Sequence, residues 1–237
     1  MAGLFVTGTD TDIGKTHIAL GLMAALQQRG LRVAAMKPVS AGCEPGGPEG
    51  GRGLRNDDAL QLSAQSSVSI PYQTLNPYAF EPAIAPHIAA QAVGVTMRLD
   101  VLARACAEIE AQADLVVVEG AGGWLVPVNT RETLADLAVA LGFPVVLVVG
   151  VRLGCLNHAL LSAESIRARG LKLAGWVANE ISTQAVCVEE NIAALSQRLR
   201  VPLLGCVPFD GQASATRTAT NLDVAPLLAS VSADEPL

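Results

Sequence analysis

The sequence predicts an α/β fold, a mostly parallel central sheet with helices on both faces, and two observations carry that expectation. The first is the kind of apolar residue the chain uses. Half of its 237 residues (51%) are hydrophobic but only 3% are aromatic, so a core has to be built from Ala, Val, Leu and Ile. Strands of a parallel sheet are buried on both faces and read as unbroken aliphatic runs, which this composition suits. The second is alternation. Short aliphatic runs take turns with segments of helical spacing, the pattern of βαβ units.

Leu4 to Thr7 form the first strand, ended by Gly8. Residues 15–29 bring Ile18, Leu22, Ala25 and Leu26 onto one helical face, and Gly30 is the stop signal. Val33 to Met36 form the next strand and deliver Lys37 and Pro38 at its C-terminal end. Residues 42–53 (GCEPGGPEGGRG) hold too much Gly and Pro for regular structure and read as a mobile loop. Helices are expected near 57–65, 83–93 and 99–112, then a strand at 114–120 (DLVVVEG), a helix near 133–141 and a strand at 144–150 (PVVLVVG). Helix 157–169, strand 173–179 (LAGWVAN), helix 188–199 and strand 202–207 (PLLGCV) continue the alternation. Past about residue 210 the chain is read as an irregular tail, with QASATRTAT (212–220) a loop. The whole of 1–237 is read as one domain.

Charge narrows the function classes. Sixteen Lys and Arg against 22 Asp and Glu give a formal charge of −6, with no basic cluster, so a nucleic-acid partner is not expected. An anionic ligand would have to be held by local groups. Five cysteines, an odd number without a CxxC pair, point to reduced thiols rather than a disulfide or zinc framework. The chain starts directly in a strand and has no uncharged apolar run of spanning length, so a cytoplasmic protein without a membrane partner is expected.

Ligands of open parallel sheets sit beyond the carboxyl ends of the strands, and the chemically suggestive residues fall there. Gly8 to Thr16 (GTDTDIGKT) joins the first strand to the first helix as GxxxxxGKT. It is one residue longer than the usual phosphate-binding loop, but the physics is the same. Glycines let the backbone wrap phosphate oxygens while N–H groups at the helix start point at the negative charge. Lys15 would neutralise the β- and γ-phosphates and the Thr16 hydroxyl would coordinate Mg²⁺. A chance Gly-Lys-Thr would not require a strand before it and a helix after it. The expected architecture is therefore a P-loop NTPase-like three-layer fold.

Glu119 ends the most apolar strand, where P-loop proteins use a carboxylate to orient Mg²⁺ or its water. The bland alternative is a loop acid just outside the sheet. Gly120, Gly122 and Gly123 clear side chains from a backbone that a ligand could approach. Lys37 is aimed at the same edge; such a lysine is usually just solvated, but beside a triphosphate it acquires a charge-stabilising role. Asp58 is ambiguous, since an acid in the first turn is ordinary helix-dipole chemistry and Asp57 serves that purpose equally. His87 could line a pocket or pack, whereas His17 and His158, within helices, are more often structural. Cys43 and Cys155 carry no visible activation and are assigned no chemistry.

Taken together, FVTGTDTDIGKT (5–16), KPVSAG (37–42), LRNDDA (54–59), NPY (76–78), APH (85–87), VEGAGGW (118–124), LGCLNHALL (154–162), LAGWVAN (173–179) and PLLGCVP (202–208) resemble dethiobiotin synthetase, in order and spacing, over nearly the whole chain. That family closes the ureido ring of dethiobiotin from 7,8-diaminopelargonic acid, CO₂ and ATP, as a cyclo-ligase of biotin biosynthesis. The resemblance implies Mg²⁺ ligation by Thr16, Asp58 and Glu119, directly or through water. It implies phosphate binding by Asp12, Ile13, Gly14, Lys15, Thr16 and His17, with Gly120, Ala121 and Gly122 alongside. It gives Asn179 to adenine, with Pro208, Phe209 and Asp210 lining the base pocket, and it makes Lys37 and Lys15 the catalytic lysines. The family is homodimeric, and Gly154, Cys155, Leu156 and Asn157 match the segment that receives the substrate carboxylate from the neighbouring subunit. One departure concerns the substrate. The family often has Ser or Thr where this chain has Ala41, so a hydroxyl contact is lost, or replaced by the neighbouring Ser40, or by water.

Two other readings compete. A partner-binding P-loop switch ATPase of the partitioning or Fe-protein type would carry a lysine just after the start of the loop, where this chain has Asp10. An amidotransferase-type synthetase acting on a cobyrinic substrate would carry a glutaminase domain for which this chain is too short.

Overall fold

In the computed structural model the aliphatic runs lie side by side. The structure describes residues 3–46, 53–211 and 214–232. In chain order the elements are β1 (Gly3–Gly8), α1 (Lys15–Gln27), β2 (Val33–Met36), β3 (Val39–Ala41), β4 (Glu44–Pro45), β5 (Leu54–Arg55) and α2 (Asp57–Gln65). Then come α3 (Tyr72–Leu75), β6 (Tyr78–Phe80), α4 (Pro86–Ala92), α5 (Leu99–Glu110), β7 (Leu115–Glu119), α6 (Leu134–Leu141) and β8 (Val145–Val151). The remainder comprises α7 (Cys155–Ala168), β9 (Leu173–Glu180), α8 (Val188–Leu199), β10 (Leu203–Val207), α9 (Ala215–Ala219) and α10 (Ala225–Ser232).

Six strands form the main sheet in the order β10-β9-β8-β1-β7-β2, every neighbour parallel. Side chains alternate across it, as strand geometry requires. On β1, Phe5 enters one core cluster with Leu102, Leu137, Ile166 and Leu195. Leu4 and Val6 enter the other with Leu22, Leu26, Leu222 and Leu227. Helices thus cover both faces, giving the expected three layers. β1 lies between β7 and β8, and the register sets Val6 beside Glu119 and Met36 beside Val118. Lys37 and Glu119 therefore leave the sheet at the same height, next to the loop that follows Gly8.

The structure corrects three expectations. The tail beyond residue 210 is not irregular: α9 and α10 close the face that carries α1. Ser214 caps α9 by accepting from the Arg217 N–H, so Ala215–Ala219 are helical; Gln212 and Ala213 of the same stretch lie outside the described residues. The cause is tertiary. Thr218 accepts or donates a 2.9 Å bond with His17 Nε2 on α1, and Ala219 and Leu222 are buried against that helix. The second correction is in the loop expected over 42–53, where Glu44–Pro45 pairs antiparallel with Leu54–Arg55; residues 47–52 lie outside the described residues. Third, the helix expected at 83–93 starts only at Pro86, a proline at the first turn. Among the described residues no helix is long and apolar enough to cross a membrane.

Candidate active site

The loop after β1 is built on backbone freedom. Asp12 and Gly14 both adopt left-handed conformations, with φ of 56° and 82°. A Cβ at Gly14 would lie 2.3 Å from Asn179 Nδ2, so even Ala there would displace that side chain, besides being strained at this φ. That nitrogen donates to the Ile13 carbonyl at 2.8 Å, and so ties the loop to the end of β9. The Ile13 side chain is buried, so what this residue offers to the cleft is backbone. α1 begins at Lys15 without a side-chain cap, leaving its first N–H groups available to an anion.

Lys15 Nζ donates to the Asp10 carbonyl at 2.8 Å. Burial pulls its pKa down to about 8 from 10.5, and Glu119 and Asp58 offset only part of that. Lys37 is buried more deeply, yet its pKa is raised. Burial acts to lower it but is outweighed by Glu119 and Asp58, which accept from Nζ at 2.6 Å and 3.0 Å. Thr16 Oγ1 donates to the same Glu119 Oε1 at 2.8 Å. Lys15, Thr16, Lys37, Asp58 and Glu119 all line a single cleft of about 960 Å³ beyond the strand tips.

A divalent cation fits this donor set. Glu119 is fully buried, and its Oε2 has no hydrogen-bond partner. A buried carboxylate oxygen left without a partner is costly unless a cation or its water meets it. Among the described residues no group of three or more His, Cys, Asp or Glu forms an all-protein metal cage. Mg²⁺ does not need one, since it typically takes one or two carboxylates and completes its shell with water and phosphate oxygens.

The other candidates divide into four sets. Asp12, Gly14, His17, Ser40, Ala41, Ala121 and Gly122 line the cleft. Ser40, however, is buried and its hydroxyl donates to Asn76 Oδ1 at 2.8 Å, 3.2 Å from Cys43 Sγ. It therefore does not present the hydroxyl missing at Ala41. Pro208, Phe209 and Asp210 follow β10 and do not line the cleft; burial lowers the pKa of cleft-lining His17, and Asp210, which pairs with Arg217 at 2.9 Å, offsets part of that. Gly120 continues β7, its N–H bonded to the Val6 carbonyl. Gly154 to Asn157 are not brought to this chain's cleft: Gly154 (φ 94°) opens α7, with Cys155 buried behind it and Leu153 fully exposed in front.

Sequence reasoning missed Arg152, which pairs with the Asp10 carboxylate and so clamps the loop to the end of β8. It also missed Asn56, which caps α2 and lines the cleft, and the 83–86 segment that forms its far wall. Asn56 had a readable signal, since Asn before Asp-Asp is an N-cap pattern. The Arg152–Asp10 pair had none, because its members are brought together only by the β1–β8 pairing.

Comparisons with known proteins bear on the family and on the fold. Residues 2–217 match a family model described as an AAA domain. The chain is 55% identical over 228 residues to "ATP-dependent dethiobiotin synthetase BioD" of Pseudomonas aeruginosa (strain UCBPP-PA14), covering 96% of this chain and 98% of that one. Proteins of the same name from Cellvibrio japonicus (54% identical, 94% of this chain and 96% of that one) and Xanthomonas oryzae pv. oryzae (50%, 93% and 96%) are similar over comparable lengths. Among solved structures, the MinC:MinD complex of Aquifex aeolicus matches with a TM-score of 0.55 at 14% identity, covering 99% of this chain and 98% of that one. A ParA family ATPase of Chlorobium tepidum matches with a TM-score of 0.51 at 14% identity, covering 98% and 93%. At that identity they share the fold alone. With half or more of its residues identical to these relatives over nearly its full length, the chain belongs to the dethiobiotin synthetase family.

Proposed function

We propose that the cleft closes the ureido ring of dethiobiotin from 7,8-diaminopelargonic acid, CO₂ and ATP, giving ADP and phosphate. The observation that carries this reading is the meeting of Lys15, Lys37, Thr16, Asp58 and Glu119 in one cleft at the start of α1. One amine of the substrate takes up CO₂ as a carbamate, and a carbamate oxygen attacks the γ-phosphorus of ATP, releasing ADP. The other amine then attacks the carbonyl carbon of the carbamic-phosphoric anhydride, closing the ring and expelling phosphate.

Negative charge concentrates where carbamate meets triphosphate, and offsetting it is the main help a protein gives to phosphoryl transfer. Lys15 holds the terminal phosphates, while Lys37, already charged between two carboxylates, faces the transferring group. Thr16, Asp58 and Glu119 would hold Mg²⁺, which when bound supplies further charge neutralisation on the phosphate oxygens. Asn179 has committed its Nδ2 to Ile13, which leaves Oδ1 to accept from the adenine amino group. Pro208, Phe209 and Asp210 flank the base. The substrate carboxylate goes to Gly154–Asn157 of a second subunit in a homodimer. The support for this is the uncapped start of α7, which lies outside this chain's own cleft beside exposed Leu153.

The test is direct. Purified protein is incubated with diaminopelargonic acid, bicarbonate, Mg²⁺ and ATP, and dethiobiotin is sought by mass. Its formation in step with phosphate release is expected. Phosphate release without the product would favour a switch ATPase.

A further inference from the structure

Residues 76–78 (NPY) and Tyr72 do not line the cleft, but they hold two of the groups that do. Lys37 lies one residue beyond β2, where the main sheet no longer fixes its peptide. Its N–H instead donates to the Leu75 carbonyl at 2.9 Å, and its carbonyl accepts from Asn76 Nδ2 at 2.7 Å. Asn76 Nδ2 also donates to the Tyr78 carbonyl at 3.4 Å. Its Oδ1 accepts from Ser40 Oγ at 2.8 Å and from the Tyr72 hydroxyl at 3.1 Å. An amide side chain offers two donor hydrogens and two acceptor lone pairs, so buried Asn76 uses its full capacity on this one spot. The Tyr72 hydroxyl in turn accepts the Asn56 N–H at 2.8 Å. Asn56 caps α2 through the Ala59 N–H, and Asp58 rides on the first turn of that helix. The Arg55 guanidinium, 4.2 Å from the Tyr72 ring centroid, holds the ring from its face.

We propose that Asn76 and Tyr72 are positioning residues for ring closure. Asn76 sets the backbone that carries Lys37, and Tyr72 sets the helix start that carries Asp58, so that Lys37 Nζ and the Asp58 carboxylate meet at 3.0 Å. The inference rests on the reading that Lys37 and Asp58 act on the triphosphate. A buried polar network that served folding alone would give the same hydrogen bonds but not the same kinetics.

The experiment compares Tyr72→Phe, Asn76→Ala, the double variant and Lys37→Ala in the full enzyme. It measures kcat, KM for ATP, the Mg²⁺ concentration for half activation, and Tm. Tyr72→Phe keeps the ring and its Arg55 contact and loses only the hydroxyl. Since a small misplacement of a catalytic group costs up to about a hundredfold, kcat is expected to fall roughly tenfold in Tyr72→Phe. KM for ATP should stay within about twofold, the signature of an interaction used in the transition state. The Mg²⁺ requirement should rise, because Asp58 is displaced. The double variant should lose less than the product of the single losses, since both residues act through one network. Unchanged kcat and Mg²⁺ dependence in Tyr72→Phe, with a lowered Tm and an inactive Lys37→Ala, would overturn the positioning role and leave the site reading standing. Full activity of Lys37→Ala would instead overturn the site reading, and this inference with it. Failure of Asn76→Ala to fold leaves Tyr72→Phe to decide.

Discussion

Two lysines line the cleft, and they are held in opposite ways. Lys15, on the phosphate-loop wall, has a backbone carbonyl as its hydrogen-bond acceptor, and burial drags its pKa down to about 8. Lys37, on the wall formed by β2 and α2, is the more buried, and its pKa rises. Burial disfavours the charged form in both; what differs is the proximity of carboxylates. The protein's own carboxylates thus offset only part of the burial of Lys15, which suits the phosphate-binding role proposed for it. Lys37 already has its counter-charges and is fixed in place before any ligand arrives.

The largest effect that would break this contrast is on turnover. Lys37→Ala removes a charge held ready for the transition state, and losing one such contact costs about a hundredfold or more in kcat. Circular dichroism should show the fold retained while dethiobiotin formation collapses, and near-normal turnover would remove Lys37 from the chemistry.

A smaller effect would sharpen the other side. The Lys15 proton is released from the folded chain near pH 8, against 10.5 for the unfolded chain. Between those values the unfolded state binds more protons, so Lys15 makes stability rise with pH across that window and has no slope below it. Nucleotide affinity runs the other way. A triphosphate favours the ammonium, so above pH 8 ATP binding should take up a proton and weaken by up to about tenfold per pH unit. Calorimetry in buffers of different ionisation enthalpy measures that uptake, and its absence would show that Lys15 is not at the phosphates.

The smallest expected change concerns what stands behind the phosphate-loop wall. A Cβ on Gly21 would lie 2.5 Å from Thr218 Cγ2. Gly21→Ala should therefore lower stability by about 1–2 kcal/mol net, as overpacking of α1 against α9 outweighs the roughly 1 kcal/mol that Ala gains over Gly inside a helix. Thermal melting measures it, and an unchanged Tm would mean that α9 is not seated on α1.

Most of the main sheet and the phosphate-binding wall could be read directly from residues. A strand, a glycine-bounded loop and a helix follow one another locally in Gly3–Gln27, and the aliphatic runs of β7, β8 and β9 announce burial on both faces. Glu119 and Lys37 were legible as strand-end charges. Their direct contact was not, since it depends on the β2–β7 register. The strands β3, β4, β5 and β6, of two or three residues each, carry no periodicity to detect, and they form only because segments distant in sequence are brought alongside. The α9 stretch reads as loop because it is short and carries polar Thr and Arg side chains, and contact with α1 through His17 and Gly21 overrides that local preference. By itself, then, the sequence determined the layers, the phosphate loop and the types of charged group at the strand tips, all set by short-range pattern and chemistry. Only the tertiary structure decided that Glu119 pairs with Lys37, that Ser40 turns inward to Asn76, and that the tail becomes helical, because each depends on which distant segments share a buried space and must satisfy one another's polar groups there.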